Sequence, residues 1–152
     1  IEAYDIANIH GRFAYGSMAV FADGKIKKDD YRVFKIKTVR GSNDPAMLKE
    51  VLERRLKHKE WQYPEIILVD GGKGQFGVAL SAIAVRKIKI IALTKNKKHV
   101  GDHIFISGKL SPIPIALLPE PLKNLILLLD NEAHRFAISH YRKIHRKSLT
   151  AN

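Results

Sequence analysis

Two aspartates stand at the ends of apolar, strand-like runs. Asp5 lies in Ile1-Glu2-Ala3-Tyr4-Asp5-Ile6, and Asp70 in Ile66-Ile67-Leu68-Val69-Asp70-Gly71-Gly72. A carboxylate is costly to bury unless a cation stands beside it. Two of them aimed at one place call for a divalent metal. The rest of the chain is strongly basic, with 27 Lys and Arg against 15 Asp and Glu and a net charge of +12. A small acidic point on a basic surface suits a metal-dependent nuclease: the surface holds phosphates and the point holds the cation that polarises one of them. The plainer reading is that Asp70 ends a strand and caps the next helix, while Asp5 pairs with a lysine. Asp44 is a third carboxylate, beside a helix cap.

His134 falls inside a helical stretch, Asp130-Asn131-Glu132-Ala133-His134-Arg135. The apolar stripe through Ile126, Ala133, Ala137 and Tyr141 passes close to it. It reads either as a core histidine or, near two carboxylates, as a metal ligand or proton shuttle. Asp130, one turn earlier, shares its face. Gly71-Gly72-Lys73-Gly74-Gln75 suits a phosphate at a helix N-terminus with Lys73 as counter-charge. It lacks the Gly-Lys-Ser/Thr ending of a Walker loop. Basic residues cluster at Lys25–Lys28, at Arg54 and Arg55, from Lys95 to His99, and from Arg142 and Lys143 to Lys147. Four clusters in so small a chain favour contact with a nucleic-acid backbone, which carries no sequence information.

The chain has 152 residues, the usual size of one domain, and we expect a single domain over 1–152. Apolar residues make up 45%, enough for a core. Without cysteine, thiolate metal sites and disulfides are excluded, and a reducing compartment is indicated weakly. No apolar run approaches the roughly 18 residues of a membrane-spanning helix. The charge favours a polyanionic partner, nucleic acid before an acidic membrane surface. Ile1 begins directly inside a strand pattern, which suggests a fragment of a larger protein.

These residues must be positioned by the elements around them. Residues 1–7 alternate as a strand; 13–22 read as a second, returning from a turn near His10-Gly11. Asp23-Gly24 marks another turn, and 31–37 reads as a third, half-exposed strand. Ser42-Asn43-Asp44-Pro45 starts an amphipathic helix running to about His58. Residues 65–70 form a short apolar strand of the kind buried on both faces. A helix follows around 75–85, then a strand at 88–94. Residues 95–121 are irregular, with one β-like piece at His103–Ser107. A long helix runs from about Leu122 to Arg146, apolar at first and basic at its end. Three antiparallel strands followed by αβαβ predict an α/β fold: a mixed five-stranded sheet flanked by helices. Laying strand 1 parallel to 65–70 is the simplest way to bring Asp5 and Asp70 out at neighbouring carboxyl ends, where open α/β sheets bind ligands.

The chain resembles the C-terminal endonuclease domain of the UvrC family of excinucleases, within the ribonuclease H-like superfamily. The resemblance is carried by Glu2-x-x-Asp5-Ile6, Val20-Phe21, Asp44-x-Ala46, Arg54-Arg55, Leu68 to Gln75, Lys95, Glu132-Ala133-His134-Arg135-Phe136-Ala137-Ile138, and Arg142-Lys143. It implies a catalytic set of Asp5, Asp70 and His134, with Asp44 a further acidic residue needed for activity. It implies Mg²⁺ or Mn²⁺, a damaged DNA duplex as substrate, and incision on the 5′ side of a lesion in nucleotide excision repair. UvrB in the UvrABC complex, met through other parts of the protein, is the implied partner, and the bacterial cytoplasm the implied location. The chain departs from the family pattern at Ala7-Asn8, where Ser-His is usual, at Asp130-Asn131, where Arg-Asp is usual, and at Tyr141-Arg142, where His-Arg is frequent.

On this reading Asp5 and Asp70 hold the cation, and His134 is either a third ligand or the general acid/base. The few candidate ligands favour one tight site. The alternative is a catalytically inactive nucleic-acid-binding module on the same fold. A third reading, a nuclease acting on junctions or RNA hybrids, is disfavoured by the Asp-Gly-Gly-Lys-Gly-Gln string.

Overall fold

The computed structural model describes residues 1–9, 13–84 and 86–150. Strands β1 (Glu2–Ile9) and β2 (Phe13–Ala22) form a long antiparallel pair, in register from Glu2↔Val20 to Ile9↔Phe13. The turn expected near His10-Gly11 lies outside the described residues. The other edge of β2 carries two strands end to end: β3 (Lys25–Ile26) beside Phe21 and Ala22, and β4 (Arg32–Lys35) beside Tyr15 to Met18. Asp23 and Gly24 both have positive φ, as a tight two-residue hairpin turn requires.

Helix α1 (Asp44–Lys57) starts where the cap signal predicts. The Ala46 amide donates to the Asn43 side chain at 3.1 Å, and Pro45 sits in the first turn, where its missing N–H costs nothing. Strand β5 (Ile66–Asp70), helix α2 (Lys73–Ala82) and strand β6 (Lys89–Lys95) follow. Then come β7 (Gly101–Ile106), β8 (Ile113–Pro114) and the long helix α3 (Glu120–Thr150). The strand order is β3-β2-β1-β5-β6-β7-β8, with β4 also on β2. The pairs β1–β5 and β5–β6 are parallel; the others are antiparallel.

The mixed α/β sheet and the long last helix are as expected, but the sheet has eight strands rather than five. The expected five are β1, β2, β4, β5 and β6. The β-like piece at 103–107 is the full strand β7, which pairs with β6 from Ile91↔Ile106 to Lys95↔Gly101. A tight connection closes this hairpin: the Lys98 and Val100 amides donate to the Asn96 side chain, and His99 takes positive φ. The polar Lys97-Lys98-His99 run has no strand periodicity, so the hairpin is not visible in it. Helix α3 begins earlier than expected because Pro121 falls in its first turn, where proline is compatible with helix.

Strand β1 decides which face meets which helix. Glu2 and Tyr4 point to one side, where Arg55 of α1 bonds Glu2. Asp5 points to the other, where His134 of α3 stands. This is the period-2 alternation of a strand. Helix α1 lies very close to β2. A Cβ at Gly16 would fall 2.5 Å from the Val51 side chain, so only glycine lets the helix approach. One hydrophobic cluster joins both faces through Ile67, Val69, Ile90 and Ala92, with Val51 and Leu52 from α1 and Ile126, Leu129 and Ala133 from α3.

Candidate active site

The parallel register of β1 on β5 pairs Glu2 with Ile67, Ala3 with Leu68 and Tyr4 with Val69. The next step along both strands sets Asp5 beside Asp70. Asp70 ends β5 as expected. Asp5 does not end β1, which runs on to Ile9 against β2 alone. Asp5 marks instead the point where β1 leaves its parallel neighbour, so both carboxylates stand at one rim of the sheet.

Two further elements reach this rim. Lys95 is the last residue of β6, just past a register shift between Thr94 and Lys95. Such an irregularity re-aims the side chain that follows it. The Lys95 ammonium donates to Asp70 at 2.9 Å and lies 2.9 Å from Asp130 as well. Asp130 and His134 come from successive turns of α3. The His134 Nδ1 is 3.2 Å from an Asp5 carboxylate oxygen. The site therefore joins Asp5, Asp70, Lys95, Asp130 and His134. They border an open cleft of about 900 Å³ whose walls include Gly71, Val100, Leu127, Ile138 and Tyr141.

Burial is uneven. The Asp5 and Asp130 side chains are 13% and 8% exposed, whereas His134 is 60% exposed. His134 thus faces the cleft and is not a core histidine. Burial pushes the Asp5 carboxyl above its ordinary range; the bond from His134 opposes this, and the charges of Asp70 and Asp130 add to it. Burial likewise raises Asp130; Lys95 opposes it and Asp70 reinforces it. Burial acts to lower Lys95, but its two carboxylate partners outweigh that and its pKa is raised. Three carboxylates therefore face one ammonium and one imidazole, and the cluster is short of positive charge.

That shortage is the test for a divalent ion. Among the described residues, no three carboxylate or imidazole groups stand close enough to hold an ion as placed. The ammonium of Lys95 occupies the space between Asp70 and Asp130. The donors themselves, carboxylate oxygens with one imidazole and no thiolate, are those that Mg²⁺ and Mn²⁺ prefer. The under-compensated burial of Asp5 and Asp130 favours a further cation. The donor types suit such an ion, while their placement around Lys95 does not by itself form a cage for one.

Other expected site residues lie elsewhere. Asp44 is exposed in the first turn of α1 and does not border the cleft. Lys73 is exposed at the start of α2, also off the cleft. The Gly71 amide is not free for a phosphate, since it donates to the Leu93 carbonyl at 3.0 Å. Gly71 takes φ +140°, and a Cβ there would meet the Gln75 side chain at 2.5 Å; this glycine lets Gln75 fold back over the turn. Arg54 donates to Glu50 and to the Lys35 carbonyl. Arg55, expected at the nucleic-acid surface, is corrected: it is 1% exposed and locked to Glu2 inside the molecule. Lys95, expected on the same surface, is committed to two carboxylates. Arg142 and Lys143 are exposed near the end of α3. Sequence reasoning missed Lys95 as a carboxylate partner. Its position at the end of the strand after β5 was the available signal.

A parallel β1–β5 pair stands at the centre of a mixed sheet, with acidic residues at its rim and a long helix across it, as expected of a ribonuclease H-like domain. The family model described as the UvrC RNAse H endonuclease domain matches residues 1–138. The chain belongs to that family. It is 37% identical to the UvrABC system protein C of Syntrophotalea carbinolica over 97% of its own length and 27% of that protein. It is 43% identical to the one from Dictyoglomus thermophilum over 98% of its length and 25% of that protein. The chain thus spans about a quarter of these relatives. Among the described residues no helix is long and apolar enough to cross a membrane.

Proposed function

We propose that this chain is the metal-dependent endonuclease domain that makes the 5′ incision beside a lesion in nucleotide excision repair. The observation that carries this reading is the β1–β5 register, which sets Asp5 next to Asp70 with His134 3.2 Å from Asp5. Asp5 and Asp70 would hold Mg²⁺ or Mn²⁺. When bound, the ion supplies Lewis-acid activation of the phosphodiester and of water. His134, exposed and hydrogen-bonded to Asp5, either completes the ligand set or moves a proton at the reacting oxygen. Arg142 and Lys143 hold backbone phosphates of the damaged duplex. UvrB engages parts of the longer protein outside this chain, and the reaction belongs to the bacterial cytoplasm.

A second reading, a binding module without activity, draws on Lys95, whose ammonium already neutralises part of the acidic cluster. One experiment separates the two. The full-length protein, assembled with its repair partners on a 5′-labelled lesion duplex, should nick 5′ of the lesion in Mg²⁺ or Mn²⁺ and stop when the ion is chelated. Incision that persists under chelation removes the metal from the reading. Failure to nick in either ion, with DNA binding intact, selects the binding module.

A further inference from the structure

Lys95 is the only lysine among the described residues that bridges two acidic groups of the cleft, with 2.9 Å contacts to both Asp70 and Asp130. Its side chain is 22% exposed, so it is neither sealed in the core nor free in solvent. The lysine stem is flexible and ends in a compact point charge that can leave one carboxylate while keeping another. Asp130 has almost no solvent access, and Lys95 is its one ion-pair partner among the described residues. Asp70 is more open and borders the cleft directly. The two ends of the bridge are thus unequal: one anchors the ammonium and one is exchangeable.

We propose that Lys95 is a tethered counter-cation of the acidic site, anchored on Asp130, which holds Asp70 when no divalent ion is bound and weakens the binding of that ion by competing for Asp70. This rests on the reading of the cleft as a divalent-ion site. The physical basis is simple. Two cations drawn to one carboxylate repel each other, and at a few ångströms in a partly buried site that repulsion is worth more than a factor of ten. The bridge keeps three carboxylates from repelling one another in the ion-free protein, at the cost of affinity for the ion. Lys95 is a positioning residue in this role.

The test is the binding of Mn²⁺ to the metal-free chain, with free Mn²⁺ counted by electron paramagnetic resonance. Lys95→Met should tighten binding by about tenfold or more. It should also lower the melting temperature of the ion-free protein by about 3–6 °C, because two acidic groups lose their cation. Lys97→Met, an exposed lysine on the neighbouring hairpin turn, removes the same charge and should change affinity by less than about twofold. The double variant Lys95→Met/Asp130→Asn leaves the net charge of the site unchanged and removes both anchor and tether. It should fold, and it should still bind Mn²⁺ more tightly than the unaltered chain. Equal or weaker binding by the double variant overturns the proposal, even if the single variant does not fold. Equal tightening by Lys95→Met and Lys97→Met also overturns it, since net charge alone would then be the cause. If the unaltered chain and every variant fail to bind Mn²⁺, the metal reading of the cleft falls and this proposal falls with it.

Discussion

Strand β1 takes a carboxylate out of water on each of its faces, and the two surroundings are built differently. On the α1 side, Glu2 is buried and receives Arg55 through both Nε, at 2.9 Å, and Nη2, at 2.7 Å. The Tyr4 hydroxyl donates to the same carboxylate. Arg55 also donates to the Gln62 carbonyl and lies over the rings of Trp61 and Tyr63. On the α3 side, among the described residues Asp5 has one hydrogen-bonding side-chain partner, His134, and that partner is mostly in solvent. Both faces take carboxylates out of water, which is unfavourable unless they are matched. The first face is matched completely and shut. The second is matched partly and open. A complete, closed ion pair can do no chemistry; an incomplete one at a cleft can accept a cation or pass a proton.

The strongest way to sharpen this contrast is to neutralise the open face. Asp5→Asn or Asp70→Asn should lower single-turnover nicking by the full-length protein about 10⁴-fold, the scale of losing one member of a catalytic unit. For the Asp5 variant the melting temperature should hold or rise, because a buried charge repelled by Asp70 and Asp130 is removed. Near-normal cutting by either variant would break the assignment.

The closed face should behave in the opposite way. Arg55→Met leaves Glu2 buried without its cation, and urea unfolding should show a loss of about 3–5 kcal/mol. Nicking per folded molecule should not change. Glu2→Leu/Arg55→Met should recover much of the loss. If Arg55→Met costs little, the pair is not the strut the contacts describe.

His134 lies on the boundary between the two behaviours. Its Phe variant keeps an aromatic ring at the position but lacks both nitrogens, so nicking should fall about 10²-fold, the effect of losing a positioned acid or base. Melting should move little, since the side chain is largely exposed. Normal cutting in both Mg²⁺ and Mn²⁺ would make the Asp5 contact purely structural.

The smallest effect expected is a titration within α1. Burial alone would raise Glu50, but bonds from the Thr38 hydroxyl and amide, the Lys37 amide and Arg54 outweigh it, and its pKa is lowered. Its stabilisation is therefore present above the ordinary glutamate range and is lost as pH falls through the lowered value. Glu50→Gln should cost about 1.5 kcal/mol near neutral pH. The gap to the unaltered chain should close in unfolding curves as pH falls below the ordinary glutamate range and through the lowered value. A gap that stays constant into acid would show that the charge on Glu50 contributes nothing.

Much of this was readable in the chain itself. The alternation of residues 1–7, the apolar run ending in Asp70, the Asn43-Asp44-Pro45 cap and the Glu-Ala-His-Arg string each encode a local state or a motif. Those signals were enough for the three helices, five of the eight strands, the mixed sheet and the family. Helix boundaries at Asn43 and His58 followed because caps are local chemistry. What the chain by itself left open was decided by register and by helix rotation. Arg54 and Arg55 are neighbours of the same type, yet one lies at the surface and the other is sealed against Glu2. Consecutive helix residues point about 100° apart, and only the docking of α1 selects which one faces the sheet. Likewise, the place of Lys95 at a strand end puts it near the rim, but nothing in the sequence around it names its two carboxylates. Its partners arrive from β5 and from α3, brought there by a parallel strand pairing and by the angle at which a long helix crosses it. Contacts between residues so far apart in the chain depend on how finished elements pack, and no local propensity contains that information.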